Sequence, residues 1–416
     1  MRAGLSRRLV RALLPPALRG ALRQGLIALA VPKVRLDASW PQTGRVTVAG
    51  LLRSATGIGH GARQCALHLA ALGYEVGTID LTEAWDAALD LPPMIPGAGI
   101  LSGDAGGPLI LHLNPPYYRT ALLQLRSRIR HRPLIGYWNW ELAEIPGTWR
   151  SAFRHVHQIW VPSRFTADAL RDRAGRVPLH IVPHLVAAPA EGTVPDWAAT
   201  PDGTLVVLAV FSYSSGFERK NPLGAVAAFR AAFGERPDVR LIIKAGGHDP
   251  APGERERLEA AVSGAGNITL HHGALDPGAY GALMARADIL LSLHRAEGFG
   301  IPLVEAMRLG KPVVATAWSS NLDFMTEAIG CLVPYALIPV DDPREAYAGA
   351  RSSWADARID AAADWLRRLE DPPLRAAIGE ASRRHVAEVY SLASYGEAAT
   401  AALCDLGCRP TRSGAS

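Results

Sequence analysis

The sequence predicts an α/β protein built from two doubly wound, parallel-sheet domains that face each other across a cleft, with a helical C-terminal part. Three observations carry this. The 416 residues allow two or three domains at roughly 100 to 200 residues each. From Arg45 onward, short apolar runs alternate with amphipathic segments, the pattern of strand–helix units feeding a parallel sheet. The runs also fall into two series, separated by Val186 to Gly203, which is rich in Ala, Pro and Gly, lacks periodicity and reads as a linker.

The first series of expected strands is Val46 to Leu52, Glu75 to Asp80, Leu109 to Leu113, Leu134 to Trp138, Gln158 to Val161 and Leu179 to Val182. The second is Thr204 to Phe211, Val239 to Ala245, Ile268 to His271, Ile289 to Leu293, Pro312 to Thr316 and Cys331 to Val333. Pro343 to Leu406 is mostly helical by pattern, and Gly407 to Ser416 reads as a disordered tail. The domain reading is therefore a basic arm (1–44), an N-terminal domain (45–185), a linker (186–203), a C-terminal domain (204–390), and a final helix with its tail (391–416). Two open parallel sheets place their ligand cleft at the carboxyl ends of the strands.

Composition narrows the class. With 49% apolar residues the chain is not mainly disordered, and its longest uncharged apolar runs, Leu205 to Phe211 and Gly25 to Val31, fall short of the roughly 20 residues of a membrane-spanning helix. Cys65, Cys331, Cys404 and Cys408 are too scattered for a disulfide framework or a zinc site, which points to a reducing, cytoplasmic location. Arg2, Arg7, Arg8, Arg11, Arg19, Arg23, Lys33 and Arg35 face no acid in the first 36 residues, whereas the net charge of the whole chain is only +5. Arg8 with Arg11 and Arg19 with Arg23 share helical faces interleaved with leucines, so the arm reads as two short basic amphipathic helices, broken at Pro15-Pro16. Such an arm suits the surface of an anionic membrane; a packed or frayed extension and a signal peptide are the other readings. Basic charge gathered in one arm gives no support to a nucleic-acid-binding core.

The most informative segment is Ala287 to Gly310, ADILLSLHRAEGFGIPLVEAMRLG. A strand runs into a loop containing Glu297, Gly298, Phe299 and Gly300; Pro302 suits the first turn of a helix and Gly310 its stop. Glycines let backbone N–H groups approach a ligand, and a helix N-terminus favours anions, so a diphosphate is the natural guest. Carboxylates accept hydrogen bonds from hydroxyls, which lets Glu297 and Glu305 hold sugar and ribose on either side of it. The alternative is that both acids only complement the helix dipole. In VLAVFSYSSGFERKNPLGAVAAF, Arg219 and Lys220 stand before Asn221-Pro222 and another helix, again suited to a diphosphate by charge-assisted hydrogen bonds. A solvated basic pair is the bland reading, but the chain has only four lysines, at 33, 220, 244 and 311.

Near the first strand, Gly57, Gly59 and Ala62 fit the dinucleotide pattern GxGxxG/A with Gly61 between them, and Asp80 lies about 20 residues on. An NAD-dependent oxidoreductase is thus the rival. Against it, Arg53 to Thr56 separate strand from glycine, and NAD leaves Glu297, Glu305 and the RKNP stretch unexplained.

Taken together, EGFGIPLVEAM with its two glutamates, RKNP one strand–helix series earlier, WNWELAEIPGTW, IWVPSRF and NLDFMTEAIGCLVPY resemble the retaining glycosyltransferases of the large group 1 family, of the family-four type, over roughly Arg45 to Tyr390. That resemblance implies a GT-B fold of two Rossmann-like domains and transfer of a sugar from a nucleoside-diphosphate sugar with retention. Glu297 then matches the glutamate at the reacting end of the donor sugar, Gly298 to Gly300 the diphosphate cradle, Glu305 the ribose ligand and Lys220 the diphosphate lysine. Many members carry an Arg six residues before that lysine; here Ser214 stands there, so Arg219 takes part of its role. Gly59 and Gly61 match a loop that closes over the donor from the other side, and Glu141 the position of an acceptor-side acid or base. The implied enzyme needs no metal and no cofactor beyond its donor substrate, acts on a saccharide or lipid-linked acceptor in cell-surface glycan synthesis, and sits peripherally on the inner face of the cytoplasmic membrane. A non-catalytic scaffold of the same fold is the third reading.

Overall fold

Aliphatic and β-branched runs buried on both faces build two parallel sheets, and the chain order of their strands places a crevice in each. The computed structural model describes residues 31–411 apart from 32, 86–90, 95–98, 116, 248–250 and 348–349; the predicted helices of the arm thus lie outside the described residues. The first sheet holds β1 (Arg45–Gly50), β2 (Glu75–Asp80), β3 (Ile100–Ser102), β4 (Leu109–His112), β5 (Leu134–Tyr137), β6 (Gln158–Val161) and β7 (Leu179–Ile181), in the order β3-β2-β1-β4-β5-β6-β7. The second holds β8 (Leu205–Ser212), β9 (Val239–Gly246), β10 (Ile268–His272), β11 (Ile289–Ser292), β12 (Val313–Thr316) and β13 (Cys331–Val333), in the order β10-β9-β8-β11-β12-β13. All pairings within both are parallel, so each order reverses once, at β1/β4 and at β8/β11, where a doubly wound sheet opens its binding crevice.

The helices of the first half are α1 (Gly57–Ala71), α2 (Tyr117–Gln124) and α3 (Arg164–Ala174). In the second half follow α4 (Phe217–Lys220), α5 (Pro222–Phe233), α6 (Glu254–Val262), α7 (Pro277–Arg286), α8 (Ile301–Arg308), α9 (Ile359–Arg368), α10 (Pro372–Val389) and α11 (Leu392–Cys404). Local chemistry sets their starts: Thr56, Ser163, Asn221, Asp276 and Ser391 each accept a backbone N–H of the following turn. Two of the three apolar clusters mix residues of both domains: Ala62 and Tyr137 share one with Phe299 and Val304, and Trp140 and Trp149 share another with Ala296 and Tyr347. The cleft walls are therefore in contact.

Three expectations need correction. The glycine run at 57–62 is not a loop: Gly57 starts α1, and the connection is residues 51–56. Glu305, which the spacing from Pro302 predicts in the first turn of its helix, lies past that turn, because α8 begins at Ile301. The stretch after Pro343 is mostly helical, as expected, but it also holds β15 (Ser353–Ala357), which forms an antiparallel hairpin with β14 (Tyr335–Pro339), Leu337 opposite Ala355. Its composition, WADA, carries little strand signal, and pairing supplies what propensity lacks. Finally, residues 407–411 are not free: the Arg409 N–H donates to Thr43 O at 2.9 Å and the Thr411 N–H to Gly73 O at 3.1 Å. The last helix α11 also packs on the first domain, where Gln158 Nε2 donates to Ala402 O at 2.9 Å. The linker, too, is fastened: Trp197 stacks on His271 at 4.1 Å with the rings nearly parallel.

Candidate active site

The centre of the cleft is assembled by Asn221. Its backbone takes the left-handed conformation (φ 50°), which Asn tolerates better than most residues. Its side chain caps α5 and also donates to Leu293 O at 3.0 Å, tying the α4–α5 junction to the end of β11. Lys220 and Glu297 are thereby brought side by side. Lys220 Nζ donates to Glu297 Oε1, and Arg219 Nη1 donates to Glu297 Oε2 at 3.2 Å. Arg219 is further committed to loop carbonyls, donating to Ala296 O at 2.7 Å and to Ser215 O at 2.7 and 3.1 Å. It fastens the glutamate loop, while Lys220, with 14% of its side chain exposed, is the more accessible cation.

The Glu297 N–H donates to Ser319 Oγ at 2.9 Å, so strand-end residues after β12 hold the loop from below. Burial works against ionisation of Glu297, but Lys220 and then Arg219 outweigh it and hold the carboxyl at about 2. Lys220 is displaced downward as well, chiefly by burial, which favours its neutral form. Gly300 (φ 95°) closes the loop and leads into α8, whose N-terminal end adds its positive dipole to the same spot. Phe299 turns inward, its ring edge-on to His184 at 5.1 Å and to Tyr390 at 5.3 Å.

The first domain meets this loop directly. A Cβ on Gly298 would lie 3.2 Å from Trp140 O and 3.6 Å from Glu141 Cγ, so glycine is what lets the walls approach. Burial raises the Glu141 carboxyl, and Arg219, Glu297 and Lys220 are the charges it feels. Ser163 Oγ donates to Gly298 O at 2.9 Å and Thr166 Oγ1 to Trp140 O at 2.9 Å, both from the start of α3. Asp323 answers from the second domain, accepting the Arg164 N–H at 2.7 Å. Tyr347, from the segment after β14, packs on Trp140 at 5.5 Å and feels Glu141 and Arg219.

Glu305 sits apart, deeper along α8, and accepts the Tyr280 hydroxyl at 2.7 Å. Burial raises its carboxyl to about 7, with the Tyr280 hydrogen bond opposing. Between its ordinary value and about 7 the folded chain thus holds a proton that the unfolded chain releases, so Glu305 costs stability as pH rises through that window. If its carboxylate accepts ribose hydroxyls, nucleoside-diphosphate affinity rises about tenfold from pH 6 to pH 8 and Glu305→Gln flattens the profile. Calorimetric titration at both pH values checks this, and identical profiles for the two proteins would reject it.

The α1 glycines have a packing explanation. A Cβ on Gly59 would stand 2.5 Å from the carbonyls of Leu51 and Ser54, and one on Gly61 would enter the His184 ring at 2.4 Å. Asp80 Oδ1 accepts the N–H of Leu52 at 3.1 Å and of Thr82 at 3.0 Å, organising the 51–56 connection. His60, His112 and His184 converge beneath α1, each pushed down by burial, to about 4 for His60 and about 3 for His184. Of the residues the site uses, Ser163 stood in a quoted motif; Tyr347 and Tyr280 had no pattern to mark them.

A two-sheet architecture with its cleft between the carboxyl ends, and this glutamate, glycine and lysine set, define a GT-B protein. Residues 208–339 match the family described as glycosyl transferases group 1, which bears out the resemblance drawn from the sequence. No curated protein matches the chain. Among solved structures, the fold is similar to HepE from Anabaena, in complex with UDP and glucose (15% identity, TM-score 0.58, covering 87% of this chain and 100% of that one). It is similar to WaaG, a glycosyltransferase involved in lipopolysaccharide biosynthesis (18%, 0.52, covering 85% and 98%). It is also similar to S. aureus TarM, in complex with fondaparinux, alpha-GlcNAc-glycerol and UDP (12%, 0.51), where 71% of this chain covers only 55% of that one.

Proposed function

We propose that the protein transfers a sugar from a nucleoside-diphosphate sugar to a saccharide or lipid-linked acceptor, with retention at the anomeric carbon and without a metal. The observation that carries this reading is the buried Lys220–Glu297 pair at the end of β11, beside the N-terminus of α8. Lys220 leaves Glu297 for the diphosphate and neutralises the charge that develops as the bond from the anomeric carbon to phosphate oxygen breaks. Glu297, released, takes hydroxyls of the donor sugar, and Glu305 those of the ribose. The acceptor hydroxyl attacks from the face the phosphate leaves, its oxygen bonding to the anomeric carbon while its proton passes to the departing diphosphate. Glu141, raised by burial, lies on the acceptor side and orients that hydroxyl. The packing reasons for Gly59 and Gly61 weaken the NAD reading, since neither glycine is then needed for a pyrophosphate.

HepE is found in complex with UDP and glucose and WaaG is involved in lipopolysaccharide biosynthesis, which favours a role in cell-surface glycans on the cytoplasmic face of a membrane. Among the described residues no helix is long and apolar enough to cross a membrane, and attachment is proposed to be peripheral. A thermal-shift panel with UDP, GDP, ADP, dTDP and NAD tests the donor class. A ligand at 100 times its Kd stabilises by about 2.7 kcal/mol, a shift of several degrees. One nucleoside diphosphate should shift the native chain and lose that shift in Glu305→Ala; a shift with NAD alone would defeat the proposal.

A further inference from the structure

A group of cations on the first domain is used by nothing in the cleft. Arg126, Arg128 and Arg130 follow α2; Arg150 and Arg154 lie on the helical turns at 147–155; Lys33 precedes β1, and all six are exposed. They alternate with buried anchors: Leu125 and Ile129 between the first three, Trp149 and Phe153 beside the next two, and Val31 before Lys33. Those anchors belong to one apolar cluster, the layer beneath the cations. The Val34 N–H donates to Arg154 O at 3.0 Å, which fixes the incoming chain to the same layer.

Their surroundings are short of negative charge. From Tyr117 to His155 the only acids are Glu141, which points into the cleft cluster, and Glu144. Among the described residues none of the six cations has a carboxylate partner. Elsewhere arginines are mostly paired, as Arg132 is with Asp104, Arg236 with Asp238 and Glu370, and Arg344 with Glu254. An unpaired basic face left after a chain has otherwise neutralised itself needs an anionic partner.

We propose that this face, Lys33 with Arg126, Arg128, Arg130, Arg150 and Arg154, docks on an anionic lipid bilayer. Two features favour lipid over nucleic acid. Leu36, 43% exposed, stands beside Lys33 and Arg35, and the preceding sequence alternates Arg with Leu and Val at helical spacing, an amphipathic pattern suited to an interface. The chain also enters the fold on this layer, where Arg154 O accepts the Val34 N–H. Docking there leaves the cleft between the two sheets reachable from the side, where an acceptor anchored in the same bilayer would arrive. That last step rests on the glycosyl-transfer reading; the docking itself does not.

The test is co-sedimentation of the full chain with vesicles of phosphatidylcholine alone or with 30% phosphatidylglycerol. Each basic residue near an anionic surface contributes about 1 kcal/mol, or about fivefold in partitioning. The triple variant Arg126→Gln/Arg128→Gln/Arg130→Gln should therefore bind the anionic vesicles about a hundredfold more weakly, and Arg150→Gln/Arg154→Gln about twenty-fivefold. Arg230→Gln/Arg384→Gln, on exposed helices of the second domain, should bind as the native chain does. Binding that is unchanged in the triple variant, or indifferent to phosphatidylglycerol, overturns the proposal. So does a loss of affinity for a DNA duplex with vesicle binding intact. An unchanged thermal midpoint shows that the variants fold, and no donor or turnover enters the readout.

Discussion

Glu297→Gln is expected to lower sugar transfer by about 10² to 10³ while leaving nucleoside-diphosphate binding intact or stronger. The side chain is 7% exposed and holds two cations, Lys220 and Arg219. Glutamine keeps the volume and can still accept one hydrogen bond, so the cavity does not collapse, but the two cations lose their counter-charge. Removing one partner of a buried ion pair costs about 3 to 5 kcal/mol, so the thermal midpoint of the free variant should fall. A bound diphosphate brings negative charge to the same cations, so the ligand-induced rise in midpoint should be larger in the variant than in the native chain. The two readouts move oppositely: turnover is lost and nucleotide stabilisation grows. An Asp or Glu serving only the helix dipole contributes about 0.3 to 1 kcal/mol, a factor of five at most. Activity within fivefold of native would return Glu297 to that bland role.

Much of this was written in residue order because local signals and the tertiary answer agreed. Alternation of apolar runs located twelve strands to within about two residues at each end, since parallel strands buried on both faces read as continuous aliphatic runs. The glutamates, glycines and RKNP stretch were legible because each lies at a strand end or helix start, where backbone chemistry restricts residue type. What stayed hidden depends on contacts distant in sequence. β15 exists through its pairing with β14, and the 407–411 segment is ordered by Thr43 and Gly73, more than 300 residues away. Tyr347 reaches Trp140 across the cleft with nothing in its neighbours to mark it. Arg219 is expected on the diphosphate; the fold adds hydrogen bonds to the Ser215 and Ala296 carbonyls, a loop-fastening role visible only once the loop is folded. The α1 glycines illustrate the converse: a pattern that reads as a dinucleotide turn is satisfied by close packing on His184 and on two carbonyls.

The second large effect is expected from the hydroxyls that join the domains. Ser163 and Thr166 sit in the first turn of α3, and their oxygens bridge Gly298 O of the glutamate loop to Trp140 O, next to Glu141. The two candidate carboxylates are thus registered through one pair of hydroxyls, and a misplacement of about 1 Å in such a site can cost about 10²-fold in rate. Ser163 also caps α3 by accepting the Thr166 N–H at 3.2 Å, so truncation to Ala would confuse helix stability with positioning. Ser163→Asp separates the two: aspartate is a good cap but cannot donate to a carbonyl, and it faces the carboxylate of Asp323 near the same helix start. Ser163→Thr keeps both the cap and the donor. Thr166→Val keeps the shape and loses the hydroxyl, both its donation to Trp140 O and its acceptance from Ser163 Oγ. Turnover should fall about 10²-fold in Ser163→Asp and about 10-fold in Thr166→Val, recover in Ser163→Thr, and leave nucleoside-diphosphate affinity unchanged in all three, because those ligands are proposed to rest on the second domain. Parallel loss of nucleotide affinity and thermal midpoint in Ser163→Asp and Thr166→Val, with turnover merely following, would make these hydroxyls ordinary interface glue; loss of kcat alone assigns them to the alignment of Glu297 with the acceptor side.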